Sequence, residues 1–289
     1  VAEASLERRA IRRSFDRAAR RYDENAILQR EIGARLVEHL APMRLAPSRV
    51  IDLGCGTGGS FDALSQRFPG AELIGIDLAP NMLHQAAGRA SWWKRTFSRL
   101  PRLVCADAER LPLAAASAQL VFSNLALQWC DPGRVFTESA RVLAPEGLFL
   151  FSTFGPDTLK ELRSAFAQAD DAPHVHRFID MHDLGDALVH AGFADPVMEM
   201  EVVTLEYSKV EDAARDLKAI GAHSALVDRP RGLSGRARWR RMAESYERFR
   251  RDTGLPATYE VIYGHAWKVP PKRTSDGRQV IDFRPRDPK

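Results

Sequence analysis

The chain has 289 residues, 45% apolar and 28% charged, with a net charge of +4 at neutral pH. That length suits one large domain or one and a half, with ample apolar material for a core, and the lack of any 18-residue apolar run excludes a membrane-spanning helix. Three cysteines, Cys55, Cys105 and Cys130, sit outside any C-x-x-C pair, which favours reduced thiols in the cytoplasm over disulfides or a zinc site. The chain starts at Val1, so a removed targeting segment stays open.

In chain order, residues 5–40 carry helical periodicity, with Ile11, Phe15, Ala18, Ala19 and Tyr22 on one face. Val50–Leu53 predicts a first strand, and Ser60–Phe68 a helix stopped by Pro69 and Gly70. Leu73–Ile76 is the second strand, and Pro80 opens a helix through Met82–Ala90. Leu103–Asp107 and Gln119–Ser123 read as the third and fourth strands. Arg134–Leu143 reads as a helix, Pro145–Gly147 as a turn and Leu148–Thr153 as the fifth strand. This alternation predicts an α/β fold with a doubly wound, mostly parallel sheet. The insert 155–192 breaks it, with helices at 156–169 and 181–191 around Pro173–Phe178. Ligands bind outside the carboxyl ends of such strands, so this insert and the N-terminal helix are expected as lids. Strands near 202–206 and 259–267, expected to be antiparallel, enclose helical stretches at 210–221 and 237–251. From Pro270 onward the composition predicts disorder.

The chemistry concentrates at Val50-Ile-Asp-Leu-Gly-Cys-Gly-Thr-Gly58, where an apolar strand ends in an acid and glycines follow. Gly54, Gly56 and Gly59 satisfy the dinucleotide pattern G-x-G-x-x-G, and Asp77 lies where a ribose-binding acid belongs. Asp52 argues against a dinucleotide, because a carboxylate there would repel a pyrophosphate at the helix N-terminus. The same carboxylate suits a phosphate-free cofactor with a cationic amine, S-adenosylmethionine. Glycines let the backbone approach it, and Asp77 can accept from both ribose hydroxyls. Asp107 and Ala108, after the third strand, can meet an adenine amine and ring nitrogen. Ser123-Asn-Leu-Ala-Leu-Gln-Trp129 brings Asn124, Gln128 and Trp129 to the place where an acceptor would meet the cofactor.

Elsewhere His174, His176, His182 and His190 lack zinc-site spacing, so no metal is expected. Arg177 has a planar fork suited to a carboxylate. Trp92-Trp93-Lys94-Arg95 is a basic aromatic loop that packing explains best. Seven arginines fall between Arg8 and Arg21 and nine between Arg229 and Arg251. The second cluster, interrupted by Glu244, Glu247 and Asp252, suits an acidic protein partner better than RNA.

These motifs resemble class I S-adenosylmethionine-dependent methyltransferases. The chain is more narrowly similar, over about residues 11–268, to the malonyl-[acyl-carrier protein] O-methyltransferases of biotin synthesis. The resemblance adds Phe15-Asp-Arg-Ala-Ala19 with Tyr22, Pro173-His-x-His-Arg-Phe178, Leu217-Lys-Ala-Ile-Gly-Ala222 and Pro256-Ala-Thr-Tyr259. It implies a Rossmann-like sheet with antiparallel C-terminal strands and helical lid insertions. The domain plan it implies is an N-terminal lid (1–45), a methyltransferase domain (46–268) containing the insert and a basic helical segment (210–252), and a tail (269–289). The implied cofactor site comprises Asp52, Gly54, Gly56, Gly58, Asp77, Leu78, Asp107, Ala108 and Asn124, with Tyr22 and Gln29 from the lid. Tyr22, Gln128, Trp129 and Arg177 would bind the acceptor, and no general base or metal is implied. The implied reaction is methylation of the free carboxylate of malonyl-[acyl-carrier protein], whose acidic carrier bears malonyl-phosphopantetheine. A second resemblance, to mitochondrial complex I assembly factors of methyltransferase type, rests on Phe151-Ser-Thr-Phe-Gly155, Asp157-Thr-Leu159, Glu161-Leu-Arg163 and, shared with the first, Pro256-Ala-Thr-Tyr259 followed by Trp267-Lys268. It implies the same fold with arginine hydroxylation of a complex I subunit. An RNA-binding methyltransferase is a third reading.

Overall fold

The computed structural model describes residues 7–89, 100–170, 174, 175, 177–219 and 235–270. The Trp92–Arg95 loop, His176, Arg229 and Arg231 of the second arginine cluster, and the tail beyond Val269 and Pro270 therefore lie outside the described residues. Seven strands form one sheet in the order β3-β2-β1-β4-β5-β7-β6. β1 (Arg49–Leu53), β2 (Glu72–Asp77), β3 (Arg102–Cys105), β4 (Ala118–Asn124) and β5 (Leu143–Phe154) run parallel. β7 (Leu255–Lys268) pairs antiparallel with β5, and β6 (Phe193–Tyr207) with β7, as the sequence leads one to expect. The order reverses between β1 and β4, which opens a crevice at the carboxyl edge.

Alternation along each strand sorts its side chains to two faces. Val50, Leu120, Phe122, Leu148 and Leu150 pack on one face with Leu28, Ile32 and Leu36 of α3 (Ile27–Glu38) and with α4 (Phe61–Arg67). Ile51, Leu53, Val121, Phe149 and Phe151 pack on the other with α6 (Pro132–Val142) and α8 (Met181–His190). Phe122, Phe136, Phe149 and Phe151 are among the largest fully buried side chains, each contributing about 1.5–3 kcal/mol by burial. β5 begins earlier than the sequence suggests: the expected Pro145–Gly147 turn is a bulge within it, with Glu146 at φ 62°.

The N-terminal periodicity resolves into α1 (Arg8–Ala18), a 3-10 turn (Ala19–Arg21), α2 (Tyr22–Asn25) and α3. Ala26, at φ −84° and ψ 44°, breaks the run. α1 packs against α5 (Pro80–Gly88), where the Asn81 N–H donates to Asp16 Oδ1 at 2.9 Å. The insert behaves differently from the expected single lid. α7 (Lys160–Ala167) packs on β7 and on α10 (Arg236–Tyr246), whereas α8 buries Leu184 and Leu188 beside α6 and β6. α8 is thus the crossover helix that returns the chain from β5 to β6. β6 and β7 continue past the end of β5, since Phe154 pairs with Val261 while Tyr207 still pairs with Leu255. α9 (Val210–Ala219) rises from this ribbon and lies against α2. Tyr207 ties it down through hydrogen bonds to Asp216 and Tyr259, burial pushing the Tyr207 hydroxyl up to about 12.

Candidate active site

The carboxyl ends of β1, β2, β3 and β4 present Asp52, Asp77, Asp107 and Asn124 along one edge. Two adjoining clefts open there, with about 690 and 820 Å³ of empty space, and share Tyr22, Gly54, Gly56 and Asn124. The turn after β1 needs its glycines. Gly54 has φ +75°, and a Cβ on it would lie 2.3 Å from the Ala126 methyl; one on Gly58 (φ +79°) would strike the Phe61 ring.

Asp77 accepts the Gly56 N–H at 2.9 Å and the Ala79 N–H at 2.8 Å, one on each oxygen, which leaves lone pairs facing the cleft. Burial pushes its pKa up to about 6 against these two donors. Asp52 is only 2% exposed; burial, reinforced by the charge of Asp77, pushes it up to about 8. Its Oδ2 has no hydrogen-bond partner, and neither has the buried Oε1 of Gln29. Both residues line the larger cleft. Two orphaned buried acceptors in one cavity are costly unless a ligand brings donors, and a cationic amine is the complement. The residues thus fit the methionyl amino group of S-adenosylmethionine, and the acidic floor disfavours a pyrophosphate.

At the other end Leu78, Asp107, Ala108 and Met82 line the smaller cleft. Arg8 of α1 donates to Asp107 Oδ1 at 2.6 Å and also pairs with Glu109. Asn124 donates to the Gln29 carbonyl at 2.8 Å and accepts from Ser152 Oγ at 2.7 Å, which fixes α3 to β4. A Cβ on Gly33 of α3 would lie 2.8 Å from Asn124 Nδ2. Thr57 donates to Asp23 at 2.6 Å, and Arg89 joins Asp23 at 3.2 Å, clasping α2 to the glycine turn. Leu125 stands at φ +49° with its N–H held by Ser152 Oγ at 3.0 Å, strain of the kind that collects at functional sites.

Tyr22 lies between the two clefts, its hydroxyl pushed up by burial and by Asp77. Trp129 lines the smaller cleft, edge-on to Phe15 with ring centroids 5.4 Å apart. Gln128 lines neither cleft, and its buried amide donates to the Leu125 carbonyl at 2.6 Å and accepts from Thr153 at 3.3 Å. It braces the turn after β4. Arg177 is exposed and lines neither cleft; its neighbour Phe178 packs edge-on to Phe154 at 5.8 Å. Burial pushes the Cys130 thiol up to about 12 and raises Cys55 as well, so neither is a thiolate nucleophile near neutrality. His174, His182 and His190 are spent on Asp170, Asp180 and the Asp186 carbonyl. No metal-holding cluster occurs among the described residues.

Sequence reasoning missed Arg8, Met82, Leu125 and the Asp23–Thr57–Arg89 clasp. For Ile11 and Phe15 the signal was present, since both share the apolar face of Tyr22.

Sheet order, glycine turn and acid-lined clefts define a methyltransferase of the S-adenosylmethionine-dependent class. Residues 51–151 match the family described as a methyltransferase domain. The fold is shared with the YcgJ protein of Bacillus subtilis (TM-score 0.57, 18% identity, 82% of this chain and 99% of that one). It is shared too with phosphoethanolamine N-methyltransferase 2 of Haemonchus contortus in complex with S-adenosyl-L-methionine (TM-score 0.51, 17% identity, 82% and 52%). A malonyl-[acyl-carrier protein] O-methyltransferase of Gallionella capsiferriformans is 51% identical over 281 residues, covering 96% of this chain and 97% of that protein. The chain belongs to the malonyl-[acyl-carrier protein] O-methyltransferase family. Of the two family resemblances in the sequence, the comparison bears out the first.

Proposed function

We propose that this protein transfers a methyl group from S-adenosylmethionine to the free carboxylate of a malonyl thioester on an acyl-carrier protein. The product is the methyl ester that starts pimeloyl synthesis for biotin. The cofactor half is carried by the two unpartnered acceptors, Asp52 Oδ2 and Gln29 Oε1. The acceptor half is supported by 51% identity along almost the whole chain to a relative named for that reaction. The finer reading is an acidic carrier bearing malonyl-phosphopantetheine, acting in the cytoplasm, where Cys55, Cys105 and Cys130 would stay reduced; all three are free.

When bound, S-adenosylmethionine supplies an electrophilic methyl group and a neutral thioether leaving group. Asp52 and Gln29 would hold its amino end, Asp77 the ribose hydroxyls, and Leu78, Asp107 and Ala108 the adenine. A malonyl carboxylate is already ionised at neutral pH, so no residue has to remove a proton. The chain's work is to align the carboxylate and exclude water. Tyr22, Asn124 and Trp129 border the space for the acceptor, under a lid fastened by the Arg8, Asp23 and Asn124 contacts. Arg177, exposed in the ligand-free chain, is the proposed partner of the carboxylate itself.

Purified protein incubated with malonyl-carrier protein and a methyl-labelled donor should yield a base-labile methyl ester on the carrier. Transfer to an arginine or to RNA instead would overturn the reading.

A further inference from the structure

We infer that the outer face of α1 is the surface on which the acidic carrier protein docks, an inference that rests on the proposed function. Between Arg8 and Arg21 the chain holds seven arginines and a single acid, Asp16, while the whole chain nets only +4. The inner face of α1 is committed: Ile11 and Phe15 line the cleft, and Ala10, Ser14 and Ala18 are buried. The outer face carries Arg9, Arg13 and Arg17 at successive i, i+4 positions, and the 3-10 turn extends the row to Arg20 and Arg21; all five are exposed. Neighbours at that spacing share one side of a helix, so the row runs for roughly 18 Å.

The state of these charges separates α1 from the more obvious candidate, α10. Arg13 stands 3.4 Å from Glu7, but Arg9, Arg17, Arg20 and Arg21 have no ion pair among the described residues. On and after α10, Arg238 is bonded to Asp170 at 2.6 Å and Arg241 to the Ala169 carbonyl at 2.9 Å. Arg240 faces Glu244 at 3.6 Å and Arg250 faces Glu247 at 2.7 Å. Those four arginines fasten α10 to α7 or answer acids close in sequence, leaving Arg248 and Arg251 without an ion pair among the described residues, whereas four of the five arginines in the row on and after α1 have none. A partner seated there is one helix diameter, about 10 Å, from the space between Phe15 and Trp129. Opposed charge over such a face raises the encounter rate and sets orientation.

An acidic protein fits this row better than nucleic acid does. Both aromatics of the segment, Phe15 and Tyr22, face the cleft, so the outer face offers no stacking platform for bases.

The test replaces Arg9, Arg13, Arg17 and Arg20 together by Glu and, in a milder set, by Gln. Binding of fluorescently labelled malonyl-carrier protein is measured by anisotropy at low and high salt. Turnover of malonyl-pantetheine, which lacks the protein, is measured beside it. We expect the Kd for the carrier to rise more than tenfold in the Glu set, with an intermediate rise in the Gln set and a flatter salt dependence. Turnover of malonyl-pantetheine and affinity for S-adenosylmethionine should stay within twofold of wild type. The pair R240E/R248E, on α10 and the 3-10 turn (Glu247–Phe249) that follows it, should change carrier affinity less than twofold. An unchanged carrier Kd in the Glu set overturns the inference. So does an equal loss from the R240E/R248E pair, a parallel loss of malonyl-pantetheine turnover, or tighter binding of a single-stranded RNA than of the carrier. If the carrier binds through α1 but no methyl ester forms, the docking surface stands and the proposed reaction fails.

Discussion

Replacing Asp52 by Asn separates what the carboxylate does for the cofactor from what it costs the fold. Asp52 ionises near pH 8 in the folded protein against an ordinary value of 3.8, because burial and the charge of Asp77 oppose its anion. Between those pH values the folded state binds more protons than the unfolded chain, so stability falls as pH rises through the window. At about 1.4 kcal/mol per pH unit, the loss reaches about 5 kcal/mol by pH 8. A carboxamide cannot ionise, so the ligand-free D52N protein should melt several degrees above wild type at pH 8 and close to it at pH 4.5. The cofactor should respond in the opposite sense. Losing a charge-assisted hydrogen bond of about 1.5–3 kcal/mol to the bound ammonium weakens S-adenosylmethionine by about 10- to 150-fold. Calorimetric titration and melting curves at the two pH values measure both effects. A D52N protein that binds S-adenosylmethionine as tightly as wild type, or that melts below it at pH 8, would refute the ammonium seat.

The other expectations follow the same geometry. Asp77→Ala strands the Gly56 and Ala79 N–H groups and should cost about 2–4 kcal/mol of stability, with cofactor affinity falling 100-fold or more. Wild-type affinity for S-adenosylmethionine, titrated by fluorescence, should weaken as pH drops below about 8, where Asp52 gains a proton, and again through about 6, where Asp77 does; a flat profile from pH 5 to 8 contradicts this. Gln128→Ala should lower stability by about 1–3 kcal/mol in urea unfolding while KM for the cofactor stays within twofold, since Gln128 serves Leu125 and Thr153. Arg177→Ala should raise KM for malonyl-carrier protein at least tenfold; unchanged kinetics would remove Arg177 from the carboxylate site.

The sequence by itself determined the parallel strands and the acidic cofactor edge, because those signals are local. An apolar run, a glycine that must take positive φ and an acid at a strand's end are each set within a few residues. Asp52, Asp77 and Asp107 could be placed on one edge from chain order alone, since parallel strands joined by helices all end on the same side. What only the tertiary structure decided depends on which face meets which neighbour. Residues 181–190 carry the same helical pattern whether they cover a cleft or cross behind a sheet; burial of Leu184 and Leu188 against α6 and β6 made them the crossover. Gln128 sits one residue from a cleft-lining Trp129, yet its amide turned to the Leu125 carbonyl. The pairing of Asp52 with Gln29 joins residues 23 positions apart on different elements. Only the close seating of α3 on Asn124, permitted by Gly33, brings their unpartnered oxygens into one cavity. The two arginine clusters likewise look alike as composition, and only packing shows that Arg238 and Arg241 reach across to the end of α7 while Arg9, Arg17, Arg20 and Arg21 stand on the outer side of α1 and the turn after it.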